Sequence, residues 1–236
     1  MAVNKDKNGY TFMFAIIMVI LVGSVLAALS VKLKPLQDAN QEIKKKMDIL
    51  NALKIDGVDR KTAEDLYTQY VIVDECIVLD AEGNVQDGAV AFDIDIKQQY
   101  KDKKRPIEDR QFPLYVASVG GVKKFVIPVV GSGLWGPIWG YIAVNEDKTS
   151  IFGANFDHQG ETPGLGAEIK QSFFFSQYDS EVISVDGKYK KIKVVKDGSG
   201  KDMHKVDGIT GGTITSKGVE EMVDRTLQVY VKYFNK

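Results

Sequence analysis

Cysteine is almost missing from this chain. Cys76 stands alone among 236 residues, so no intrachain disulfide closes, and no Cys/His cluster has metal-ligand spacing. Cys76 sits in an apolar run, where a thiol serves as a small buried hydrophobe rather than a reactive group. Histidine is scarce too. His158 and His204 are the only two. Neither has a patterned partner, so each reads as a surface or hydrogen-bonded residue rather than a catalytic base. An excess of charge of either sign is lacking: 31 Lys and Arg face 32 Asp and Glu, a net charge of −1. No basic run is interleaved with aromatics, and Lys44-Lys45-Lys46 is a short solvated patch, so no nucleic-acid partner is expected. Long alternating strand–helix–strand units are also missing, which disfavours a doubly wound parallel sheet.

The longest gap in charge lies near the N-terminus. Tyr10 to Ser30 holds no charged residue and is rich in Ile, Val, Leu, Met and Phe, about the length that crosses a bilayer as one helix. A cleaved signal peptide has a shorter apolar core, so a retained anchor is expected over 10–31, behind a short cytoplasmic tail, 1–9. Lys5 and Lys7 flank one end, Lys32 and Lys34 the other. Counting them does not set an orientation. With no ionisable group inside, the anchor offers no ion route of its own.

Residues 32–55 read as a polar juxtamembrane helix or linker. Leu36, Ile43, Met47 and Leu50 fall near heptad spacing, and Pro35 marks a kink or a first turn. The remaining 56–236 is one domain. A short helix over 62–70 is predicted with Thr62 as its cap. Strands are predicted over 71–79, 113–116, 124–130 with Pro128 at an edge or bulge, 141–144, 150–155 and 167–175. The pair 181–185 and 189–195 is joined by the Asp186-Gly187 hairpin signal. Residues 97–110 are charged and read as an exposed loop. Val219, Met222, Val223, Thr226, Tyr230 and Phe234 recur at helical spacing, so a helix over 216–234 is expected. Thr215 or Ser216 would cap it, with Glu220 and Glu221 in its first turn.

Three stretches carry chemistry. Gly131-Ser132-Gly133-Leu134-Trp135-Gly136-Pro137-Ile138-Trp139-Gly140 combines tight-turn glycines with two indoles. Either the indoles complete the core or the loop covers a flat aromatic ligand. His158-Gln159-Gly160-Glu161-Thr162-Pro163-Gly164-Leu165-Gly166 is a turn whose Glu161 reads first as a solvated carboxylate. Asp207-Gly208-Ile209-Thr210-Gly211-Gly212-Thr213-Ile214-Thr215 is a glycine-rich, hydroxyl-rich turn leading into the last helix. Such a turn lets a ligand approach the backbone closely, and a helix N-terminus is a natural phosphate site.

The spacing Asp-x-x-Thr-Gly-Gly-Thr-x-Thr resembles the motif of proteins that carry FMN covalently, through a phosphoester to a threonine. By that resemblance the acceptor is Thr213, with Gly212 where Ala is usual. The three stretches in this order, behind one anchor, resemble the C-subunit of the bacterial sodium-translocating NADH:quinone reductase. The resemblance covers nearly the whole chain and is weakest in 80–110. The Trp-containing loop favours this family over its relative, the G-subunit of the Rnf electron-transport complex.

The resemblance implies an FMN-binding domain on the outer side of the bacterial inner membrane and assembly with the other subunits of that complex. It implies a separate magnesium-dependent flavin transferase that installs FMN from FAD. The flavin would relay electrons between a membrane iron–sulfur centre and further flavins on the way to quinone, with sodium exported through other subunits. Asp207, Thr210, Gly211, Gly212 and Thr215 would surround the attachment at Thr213. The Gly211 and Gly212 N–H groups would meet the phosphate, with Lys217 or Lys205 as added charge. Leu134, Trp135, Thr162, Leu165 and Gly166 would line the isoalloxazine. No catalytic residue and no metal ligand is expected in this chain. The rival readings are the Rnf-type protein and a membrane-anchored sensor without redox chemistry. A threonine-nucleophile hydrolase lacks a patterned base beside Thr213. The expected class is α+β: a single N-terminal transmembrane helix, then one mostly antiparallel-sheet FMN-binding domain with flanking helices.

Overall fold

The computed structural model describes residues 8–236. Lys5, Lys7 and most of the expected tail lie outside them. The chain divides into two units between Lys45 and Lys46.

Helix α1 (Asn8–Ala52) contains the apolar stretch. Its most apolar 18-residue window has a mean hydropathy of 2.8 and none of it is buried, so the helix is long and apolar enough to cross a membrane. Pro35 lies inside the helix, which continues through the expected juxtamembrane stretch to Ala52. The compact unit begins at Lys46. The reason is burial: Ile49, Leu50, Ala52 and Leu53 are all fully enclosed in it.

The compact unit is built on a five-stranded antiparallel meander in the order β1-β2-β3-β4-β5. The strands are β1 (Ile77–Leu79), β2 (Phe112–Val119), β3 (Val122–Ser132), β4 (Pro137–Asn145) and β5 (Ile151–His158). Successive side chains on a strand point to opposite faces. Here both faces are covered, which is why β3 and β4 are apolar at almost every position. Ile127, Val129, Ile138 and Ile142 face Val219, Met222, Val223, Leu227 and Tyr230 of α5 (Thr213–Phe234). Val126, Tyr115, Tyr141 and Ala143 face Ile49, Leu50, Leu53 and Tyr67. Each fully buried aliphatic or aromatic side chain contributes about 1.5–3 kcal/mol.

Helix α5 forms because its apolar residues recur three and four apart, giving one continuous stripe for the sheet. The contact is close. A Cβ on Gly218 would collide with the carbonyl oxygen of Ser132. Tyr230 is fully buried and donates its hydroxyl to the Pro113 carbonyl at 2.7 Å. Pro128 sits in β3 beyond the last residue paired with β2, so its missing N–H breaks no bond on that side.

Two small ribbons complete the unit. β6 (Ser184–Val185) and β7 (Lys188–Tyr189) form the expected hairpin. Asp186 and Gly187 both take positive φ, 50° and 72°, as a two-residue type I′ turn requires. β8 (Lys193–Val195) and β9 (Lys205–Asp207) pair in parallel, the exception in an otherwise antiparallel architecture.

Several expectations are corrected. Of 71–79, only Ile77–Leu79 is strand; Val73–Glu75 is a 3-10 turn and Val71 makes an isolated bridge. Helix α2 (Ala63–Tyr70) is not capped by the Thr62 side chain. That hydroxyl donates back to the Gly57 carbonyl, while Asp59 accepts from the N–H groups of Lys61 and Thr62. The charged segment 97–110 includes helix α3 (Ile96–Lys101), capped by Asp95 accepting from Lys97 and Gln98 N–H. Residues 167–175 are helical, not strand: a 3-10 stretch Gly166–Lys170 and then α4 (Ser172–Phe175). An apolar run is ambiguous between the two. Here Phe174 and Tyr178, four apart, both pack on Phe156 with ring centroids at 6.0 and 5.2 Å. Cys76 is half-buried, its Sγ accepts from the Val116 N–H, and burial pushes its thiol pKa up, away from reactivity.

Candidate functional site

A cleft of about 510 Å³ opens where the three motif stretches meet. The β3–β4 loop contributes Leu134 and Trp135. The segment after β5 contributes Glu161, Thr162, Leu165 and Gly166. The turn before α5 and its first residues contribute Gly211, Gly212, Thr213, Ile214 and Thr215. Residues some 80 positions apart thus share one wall, because α5 lies across the sheet end from which both loops leave.

Helix α5 starts at Thr213, three residues earlier than expected, with Gly212 as N-cap and no side-chain cap. Neither Thr215 nor Ser216 caps it, and Glu220 and Glu221 lie beyond its first turn. Ser216 is fully buried and does other work. Its hydroxyl accepts from Ile209 N–H at 3.0 Å and donates to the Gly212 carbonyl at 2.9 Å, stapling the turn. Gly211 has φ 74°, and a Cβ there would collide with Leu165. The left-handed backbone calls for glycine at that position, while the Leu165 contact is with the tip of a flexible side chain that can give way. The Gly212 N–H is spent on the Ile209 carbonyl. The free donors at this end are the N–H groups of Thr213, Ile214 and Thr215, which find no acceptor among the described residues. The half-exposed Thr213 hydroxyl makes no hydrogen bond to them either.

Glu161 is the residue the sequence hid. It is 5 % exposed, not a solvated carboxylate. One oxygen accepts from the Trp135 N–H at 2.7 Å and the other from the Thr215 hydroxyl at 2.6 Å. Its own N–H donates to His158 Nδ1 at 3.1 Å. A single carboxylate therefore ties the roof loop, the middle segment and the helix together. His158 is accordingly a hydrogen-bonded residue.

Around this polar frame the apolar groups stay open. Trp135 is 69 % exposed, Leu134 51 % and Leu165 42 %. The second indole is not part of the cleft. Trp139 lies on β4 with the Lys97 ammonium 3.4 Å from its ring centroid. Asp207 and Thr210 do not line the wall. Asp207 accepts from the Gly200 N–H at 3.0 Å, fixing the preceding loop. The two candidate lysines are engaged elsewhere: Lys217 with the Val194 carbonyl and Glu220, Lys205 with Ser199 and Asp202. Among the described residues, no group of three or more His, Cys, Asp or Glu side chains forms a metal site.

The arrangement suits a flat, apolar ring bearing an anionic tail. An uncapped helix end attracts negative charge, exposed indole and leucine surfaces await a planar partner, and a free hydroxyl sits at their junction.

Residues 133–228 match the family model for the FMN-binding domain. The chain is 31% identical over 216 residues to the C-subunit of the Na+-translocating NADH-quinone reductase of Vibrio vulnificus, covering 85% of this chain and 83% of that one. It is 29% identical over 242 residues to the Vibrio campbellii C-subunit, covering 95% and 92%. A solved structure of the Parabacteroides distasonis C-subunit superimposes with a TM-score of 0.75 at 39% identity, over 86% of this chain and 98% of that one. NqrC from Shewanella oneidensis shares the fold, with a TM-score of 0.64 at 23% identity. With the motif order, the meander and the cleft in agreement, the chain belongs to the C-subunit family of the Na+-translocating NADH-quinone reductase.

Proposed function

We propose that this chain holds FMN through a phosphoester on the Thr213 hydroxyl. The chain is an FMN-binding electron-transfer subunit of the Na+-translocating NADH-quinone reductase, an oxidoreductase complex whose other subunits are its partners. One observation carries the attachment. Thr213 is the first residue of α5, with an unbonded hydroxyl at a cleft to which all three motifs contribute.

FMN supplies the redox chemistry when bound; the protein supplies position and electrostatics. The N–H groups of the first turn of α5 hold the anionic phosphodiester. Leu134, Trp135, Thr162, Leu165 and Gly166 flank the ring and limit water. Glu161 keeps those walls in register. Gly211 and Gly212 let the tail approach the backbone. Asp207 and Thr210 act through the shape of the turn, Thr215 through Glu161. The family resemblance implies that a separate flavin transferase makes the attachment, and among the described residues no base is bonded to the Thr213 hydroxyl. That enzyme transfers the FMN moiety of FAD to the hydroxyl and releases AMP.

The stretch 10–31 crosses the inner membrane once, with 1–9 on the cytoplasmic side and 32–55 leading to the FMN-binding domain, 56–236, on the outer side. Electrons pass through the flavin as part of a chain that drives Na+ export in the whole complex. The apolar run of α1 supports the anchor.

The test is Thr213→Val, which keeps the volume and removes the hydroxyl. Full-length protein matured with the transferase should be folded and lack covalent flavin, seen as lost in-gel fluorescence and an unmodified 213-containing peptide. Covalent flavin retained in that variant would sink the assignment.

A further inference from the structure

The flavin cleft has one ionisable side chain in its lining, Glu161; the other lining residues are apolar, glycine or hydroxyl-bearing. That charge sits deep. Glu161 is 5 % exposed, and bare backbone approaches each of its oxygens. A Cβ on Gly133 would collide with Oε1, and one on Gly166 with Oε2. Gly166 is itself part of the cleft wall, so no side chain at that position separates the oxygen from the cleft.

No cation offsets it among the described residues. Both groups that donate to the carboxylate, the Trp135 N–H and the Thr215 hydroxyl, are neutral. His158 Nδ1 accepts the Glu161 N–H, so that nitrogen carries no proton and the imidazole is neutral. Lys217 and Lys205 are held by other acceptors. The positive end of α5 is near through Thr215, but a phosphodiester on Thr213 draws on the same end. A charge enclosed in this way is screened little by salt, and its two donors fix its position.

An electron added to a flavin ring adds a negative charge to it. A fixed negative charge beside the ring opposes that step, the more strongly the drier the surroundings. We propose that Glu161 sets the reduction potential of the flavin: its carboxylate keeps the ring harder to reduce, so that an electron received from one carrier of the complex is passed on readily to the next. The proposal rests on FMN being held at Thr213. It gives Glu161 a role beyond joining the cleft walls, because shape would survive the loss of the charge whereas the potential would not.

The experiment is a spectroelectrochemical titration of the full-length chain, matured with the flavin transferase and held in detergent, counting only molecules with covalent flavin. Glu161→Gln removes the charge and keeps the shape. It should move the one-electron equilibrium about tenfold or more toward the reduced flavin, an upward shift of about 59 mV. Glu161→Asp keeps the charge, and Glu168→Gln removes one that lies outside the cleft lining; each should move the equilibrium far less. A smaller rise in Glu161→Gln, a fall, or an equal rise in either companion overturns the proposal. If Glu161→Gln carries no flavin, redox difference infrared spectra of the unsubstituted chain decide the matter. With carbon-13 in the glutamate carboxyls, a label-sensitive carboxylate band should shift as the electron arrives, and its absence overturns the proposal. A bare 213-containing peptide in the unsubstituted chain sinks the attachment at Thr213 and the role of Glu161 with it. Normal loading with an unmoved potential sinks the role of Glu161 alone.

Discussion

Under the last turns of α1, Ile49, Leu50 and Leu53 are fully enclosed against Tyr115, Val126 and Tyr141. At the flavin cleft, Leu134, Trp135 and Leu165 stay open to solvent while the carboxylate of Glu161 is enclosed. The first region follows the ordinary partition of apolar inside and charged outside; the second inverts it. The closed face is held by area, at about 25 cal/mol per Å² of apolar surface. The cleft is held by a few charge-assisted hydrogen bonds, which fix geometry without consuming the apolar surface a ring needs. Stability and binding are thus drawn from different interactions at opposite sides of one sheet.

That contrast is open to attack from the strong side first. Leu50→Ala should lower the unfolding free energy by about 2–5 kcal/mol, as core truncations do, while folded molecules keep their full covalent flavin. Denaturant titration beside in-gel fluorescence reads both, and flavin loss out of proportion to unfolding would blur the division. Glu161→Gln keeps the shape but sets an amide N–H₂ against one of two donors. It should cost about 1–3 kcal/mol and, unlike the core variant, reduce flavin attachment and alter the bound flavin's absorption at temperatures where the protein is folded. An unchanged spectrum and unchanged yield would make Glu161 merely structural.

The smallest effect lies at the contact of α5 with β8. Glu220 on α5 accepts from the Val194 N–H at 2.7 Å and pairs with Lys217 and Lys191. Burial alone would raise its pKa, but these donors outweigh it and hold it below the ordinary glutamate value. A depressed folded-state pKa lends stability that is complete above the unfolded value and is lost as pH falls through the folded one. Hydrogen exchange at the Val194 amide, corrected for its intrinsic rate, should therefore accelerate on acidification through and below the glutamate range. Glu220→Gln should flatten that dependence, and a flat profile in the unsubstituted chain would remove Glu220 from the account.

Patterns local in sequence are readable. The stripe Val219, Met222, Val223, Tyr230 announces α5, and Asp186-Gly187 announces its hairpin. The three motif stretches are recognisable one by one, and all three do contribute to one cleft. What cannot be read is decided across distance. Glu161 looks like any loop glutamate until Thr215, 54 positions away, donates to it. The start of α5 is hidden because Gly212 offers no side-chain cap to mark it. The Phe173-Phe174-Phe175 run suggests a strand, and only the packing of Phe174 on Phe156 selects a helix.

The contact of Gly218 with the backbone at Ser132 has a further consequence. It pins the rotational phase of α5 five residues downstream of Thr213. A helix advances about 100° per residue, so a single insertion or deletion between these positions swings the threonine to another side of the axis. Spacing in that interval is therefore quantised.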